Sequence, residues 1–117
     1  MDNEEIIKEQ KRICKKYGAT WQPMLAGWKI GITNNIDSGE MPINGLRHPS
    51  ENGTLGWYIW AGKYLDNADF FAPMHIEHLP NKCPSVLKFL GLPPGWRFLI
   101  DDKGYEDVWE DTSLLNP

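Results

Sequence analysis

Apolar positions divide the chain before any motif does. Between residues 3 and 17, Ile6, Ile7, Ile13, Cys14 and Tyr17 recur at helical spacing, with acidic residues leading and basic ones trailing. The pattern predicts an N-terminal helix, with Asp2 and Glu5 at capping-box spacing and Gly18 as a left-handed stop. Its apolar stripe is expected to pack on a sheet.

The period then changes to two. Trp28, Ile30 and Ile32 alternate with Lys29, Gly31 and Thr33, as in a half-buried strand. Residues 34–53 turn polar and rich in Asn, Gly and Pro, which predicts a long loop with a short strand near 41–43. Arg47 and His48 fall inside it as solvated contact points. Residues 56–61 read as a central strand, because Trp57, Ile59 and Ala61 on one face oppose Tyr58 and Trp60 on the other. The connection 63–73 is expected to carry a helical turn at 67–71, placing Phe70 or Phe71 in the core. Residues 74–79 read as a strand or a short turn. Residues 83–90 read as a short helix with Pro84 in its first turn and Gly91 at its end.

Trp96, Phe98 and Ile100 alternate with Arg97, Leu99 and Asp101, and Asp102-Lys103-Gly104 has hairpin-turn chemistry. Residues 105–110 are therefore expected to return as an antiparallel strand, with Leu114 and Leu115 docking from the tail. Strands outnumber helices and their connections are tight. The class is α+β: one domain over 1–117, a mainly antiparallel sheet with the N-terminal helix and the 83–90 helix packed on one side.

Composition narrows the function classes. A hydrophobic content of 41% over 117 residues suits one globular core, and no apolar run approaches the ~20 residues of a membrane span. The acidic opening Met1-Asp2-Asn3-Glu4-Glu5 is unlike a secretion signal, so a cytoplasmic chain with two free thiols, Cys14 and Cys83, is expected. The net charge is −4, and residues 101–111 set six carboxylates against Lys103 alone. That balance disfavours nucleic-acid binding and suits a basic protein partner. Asp101, Asp102, Tyr105, Glu106, Asp107, Trp109 and Glu110 are the partner-binding candidates, since aromatic residues anchor interfaces and charges steer them.

Catalytic constellations are sparse. His75-x-x-His78 with Cys83, near Glu77 and Asp69, has metal-ligand residue types, but the spacing matches no zinc pattern. Cys83 beside a histidine base is the corresponding nucleophile reading, and no oxyanion motif accompanies it. No phosphate loop is present and no cofactor is implied. A small enzyme centred on His75, His78 and Cys83 stands as the alternative function, as does a ligand pocket among Trp57, Tyr58, Trp60 and Trp96.

The runs Gly56-Trp57-Tyr58-Ile59-Trp60, His75-Ile76-Glu77-His78-Leu79 and Leu90-Gly91-Leu92-Pro93-Pro94-Gly95-Trp96-Arg97-Phe98, followed by Tyr105-Glu106-Asp107-Val108-Trp109, resemble the bacterial immunity-protein-thirty-three-like domain over residues 20–115. The resemblance implies a small, non-catalytic cytoplasmic protein that neutralises a cognate toxin by binding it. It carries no catalytic residues with it.

Overall fold

α1, Asn3–Tyr17, buries Ile6, Gln10, Ile13 and Cys14. It stops where the periodicity places the stop. Gly18 takes φ +76°, and Ala19 N–H returns to the Cys14 carbonyl at 2.8 Å, the closure of a Schellman turn. The computed structural model describes residues 3–116, so Asp2 of the expected capping box lies outside the described residues.

The buried stripe differs from the expected one. Ile7 stays 37% exposed and Gln10 takes the inward position at 1%. Gln10 is fully engaged there: its Nε2 donates to the Leu87 carbonyl at 3.0 Å, and its Oε1 accepts from Trp21 Nε1 at 3.1 Å. α1 thus packs mainly on the 3-10 helix Pro84–Phe89 and meets the sheet at Glu106, through Lys16 and Tyr17.

Six strands form one sheet: β1 Lys29–Ile32, β2 Ile43–Arg47, β3 Thr54–Ala61, β4 Ala72–His75, β5 Trp96–Ile100 and β6 Glu106–Glu110. Their spatial order is β4-β1-β3-β2-β5-β6, with every neighbouring pair antiparallel except β1 and β3. The fold is α+β, and β3 holds the central place expected of a strand apolar on both faces. Between β4 and β5 lie the 3-10 turn Ile76–His78, α2 Leu79–Lys82 and the 3-10 helix Pro84–Phe89, where a single helix was expected. A last 3-10 turn, Thr112–Leu115, docks Leu114 and leaves Leu115 exposed.

Register shows how the core is filled. One inward row runs Ala72, Ile32, Ile59, Gly45, Phe98, Val108 from edge to edge. Phe98 fills the space over Gly45, where an added Cβ would sit 2.1 Å from the ring. Phe89 from the helical layer stacks on Phe98 at 4.5 Å, and Trp57 tilts onto it at 5.6 Å. This close approach explains why the Asn44-Gly45 pair, which reads locally as a turn, sits mid-strand in β2.

Arg47 is the other departure in that segment. Expected in a solvated loop, it is 2% exposed on β2. Its Nε donates to the Leu55 carbonyl at 2.9 Å, Nη1 to the Leu92 carbonyl at 2.6 Å and Nη2 to Ser50 Oγ at 3.3 Å. Burial lowers its pKa to about 10, and these acceptors stand in for the missing carboxylate.

Candidate partner-binding surface

The helical layer covers one face of the sheet only. Opposite it, one outward row runs Pro73, Gly31, Tyr58, Leu46, Arg97, Trp109, and a second runs Trp60, Asn44, Leu99, Asp107. The loop after β3 folds over the β3 end of this face. Tyr58 meets Phe71 at 5.2 Å, Trp60 meets Tyr64 at 5.4 Å, and Phe70 meets Phe71 at 4.8 Å. Phe70 and Phe71 therefore belong to this aromatic cluster and not to the core. Alongside it, Leu46, His48, Glu51, Tyr58, Tyr64 and Phe71 line a shallow groove of about 440 Å³. Tyr64 in its lining and the next residue, Leu65, are half exposed.

At the other end of the sheet lies the acidic hairpin. Its carboxylates divide into those that hold the hairpin and those that carry no ion pair among the described residues. Asp101 accepts from the backbone N–H groups of Tyr105 at 2.9 Å and Lys103 at 2.8 Å, which hold its carboxyl below the usual range. Glu106 projects toward the helices, where Lys16 and Tyr17 reach one oxygen and Lys88 the other, at 3.2, 2.5 and 3.3 Å. Burial would raise the Glu106 carboxyl, but those three partners outweigh it and hold it low. Asp111 caps the last 3-10 turn through Ser113 and pairs with Arg97 at 3.2 Å.

Asp102, Asp107 and Glu110 carry no ion pair among the described residues. Tyr105, at the hairpin tip, is 54% exposed. Trp109 lies half-buried beneath the Arg97 guanidinium at 5.5 Å on the outward face, in the row beside that of Asp107. The seven candidate residues thus share one hairpin but occupy three settings: tip, outward face and helix-facing side.

A model of the Imm33-like domain family matches residues 9–111. The chain belongs to the Imm33-like domain family. No curated protein and no solved structure matches it. The match takes in the whole sheet of this Imm33-like domain and both clusters just described, and the family's name is that of an immunity-protein family.

The catalytic alternatives have less geometry behind them. The His75 and His78 rings of the Imm33-like domain lie 6.4 Å apart, and no three His, Cys, Asp or Glu side chains converge as a ligand set among the described residues. His75 Nδ1 is 3.0 Å from the Gly27 carbonyl, and Glu77 accepts from Gly27 N–H at 2.9 Å, so both secure a turn. Cys83 is buried beside Ser85 Oγ at 3.6 Å, and burial pushes its thiol up, away from the nucleophilic thiolate. Cys14 is likewise buried and free. The expected pocket among Trp57, Tyr58, Trp60 and Trp96 does not form: Trp57 faces the helices and donates to the Leu90 carbonyl at 3.2 Å, while Tyr58 and Trp60 face the opposite side.

Two features escape sequence reasoning. The Tyr64–Phe70–Phe71 cluster gives no periodic signal because it lies in a loop. Arg47 and Gln10 give none because their partners are distant in sequence.

Proposed function

We propose that this Imm33-like domain is a non-catalytic immunity protein that binds and silences a cognate toxin in the cytoplasm of the cell that makes it. The observation that carries the proposal is the family match over residues 9–111. The acidic hairpin supports it physically. Asp102, Asp107 and Glu110 present unpaired negative charge beside Tyr105 and Trp109, a combination that steers a basic partner and then anchors it. Asp101 and Glu106 contribute by fixing the hairpin's shape.

Co-expression with the toxin encoded beside its gene tests the proposal. Growth rescue together with a one-to-one complex on size-exclusion chromatography is the expected result. Unrelieved toxicity with no complex overturns it.

A further inference from the structure

The two edges of the sheet are not equivalent. On β4, Ile76 N–H bonds to the Trp28 carbonyl, which sets the ladder alternation so that Pro73 and His75 turn their backbone groups outward. Pro73 has no N–H to offer, so this edge is blunted. On β6, Asp101 N–H bonds to the Tyr105 carbonyl and Asp111 N–H to the Gly95 carbonyl, with an unbroken register between them. By the same alternation Asp107 and Trp109 bond inward to β5. Glu106, Val108 and Glu110 direct their N–H and C=O groups outward along a strand that has a neighbour on one side only.

We propose that β6 accepts an added strand from a basic partner segment, extending the sheet by one. The side chains define that segment. Antiparallel addition sets a residue opposite each of Glu110, Trp109, Val108 and Asp107 in turn, so the complementary strand reads basic, any, apolar, basic. The unpaired carboxylates of Asp107 and Glu110 meet the two cations, and Val108 meets the apolar residue. The same charges bar a second copy of this chain. Antiparallel self-pairing centred on Val108 would place Glu106 opposite Glu110 twice, and parallel in-register pairing would stack Glu110 on Glu110 and Asp107 on Asp107. The inference deepens the immunity-protein reading, which supplies the partner's identity, while the strand-accepting edge stands on the ladder geometry.

Amide hydrogen exchange on the whole protein tests it. The probe is a synthetic peptide of about ten residues with Lys-Thr-Val-Lys at its centre, and the control has glutamate for each lysine. At saturating peptide the outward amides of Glu106, Val108 and Glu110 are expected to slow by at least about tenfold, while the Asp107 and Trp109 amides, already bonded, change little. Glu110→Pro, which removes an outward donor without touching the β5 ladder, and the charge reversal D107K/E110K are each expected to weaken the peptide at least about tenfold with the native fold retained. Unchanged exchange with the basic peptide, equal protection by both peptides, or wild-type affinity in both variants overturns the inference. A toxin that is neutralised equally by Glu110→Pro and D107K/E110K also overturns strand addition and leaves the immunity reading standing. Peptide protection alongside an adjacent-gene toxin that never binds does the reverse.

Discussion

Tyr17 donates its hydroxyl to Glu106 across 2.5 Å, tying the last turn of α1 to the first residue of β6. Lys16 and Lys88 close on the same carboxylate, so three side chains from the helical layer hold the strand that carries the acidic hairpin.

Acid should loosen this joint. The folded Glu106 carboxyl sits below its ordinary value, so its contribution is fully present above the unfolded pKa of about 4.3 and is lost as pH falls through the folded value. Urea melts between pH 7 and pH 3 are expected to show Glu106→Gln less stable at neutral pH and with a flatter acid limb than wild type. Tyr17→Phe, which removes one charge-assisted bond, should cost about 1–2 kcal/mol at pH 7.

Packing at the sheet's centre allows little adjustment. Gly45→Ala drives a methyl into Phe98 and should destabilise by about 1–3 kcal/mol, whereas Phe98→Ala empties the stack under Phe89 and should cost about 3–5 kcal/mol. In the double variant the alanine occupies space that Phe98 vacates, so a loss smaller than the sum is expected in a thermal-denaturation cycle.

Arg47 is held by carbonyl and hydroxyl oxygens, with its guanidinium 5.8 Å over the Trp57 ring. Arg47→Ala takes the guanidinium donor from the Leu92 carbonyl and leaves the Leu55 carbonyl to Ser50 Oγ, and should cost roughly 3 kcal/mol by chemical denaturation. Arg47→Lys keeps the charge but not the fork, and should recover only part of that loss.

Both thiols are shielded. Cys14 and Cys83 should react with a thiol reagent only as fast as the chain opens, and stoichiometric labelling should appear once denaturant is added. Rapid labelling under native conditions would contradict their burial.

Charge changes at the hairpin should separate binding from folding. Asp107→Lys and Glu110→Lys are expected to stay within about 0.5 kcal/mol of wild-type stability while weakening the toxin complex at least about tenfold. Asp101→Ala, which unfastens the turn, should lower stability as well as binding. Denaturation and calorimetric titration on the same preparations distinguish the two patterns.

Local signals made much of this fold readable. α1 has its own period and its own stop at Gly18, the strand around Trp57–Ala61 shows its two-faced burial directly, and Asp102-Lys103-Gly104 marks the hairpin that joins β5 to β6. What stayed hidden depended on distant partners. β2 looked like loop because Gly45 answers to Phe98, more than fifty residues away in sequence, and Arg47 looked solvated because its acceptors come from Leu55 and Leu92. The parallel pairing of β1 with β3 follows from β2 being inserted on the far side of β3, which no local pattern encodes. In the acidic hairpin the residue types were visible, but not that Glu106 would meet Lys16 and Lys88 while Asp107 turned away.

The division of labour along β6 has an evolutionary consequence. Glu106 and Val108 are committed to the rest of the molecule, whereas Asp107 and Glu110 touch no ion-pair partner. Substitutions at these two positions are expected to accumulate without disturbing the fold, so under the immunity-protein proposal a lineage is free to follow a changing toxin there. An insertion of one residue in the 102–104 turn would instead flip every residue of β6, turning Asp107 and Trp109 toward the helical layer and Glu106 and Val108 away from it, and would be far harder to survive than any single substitution.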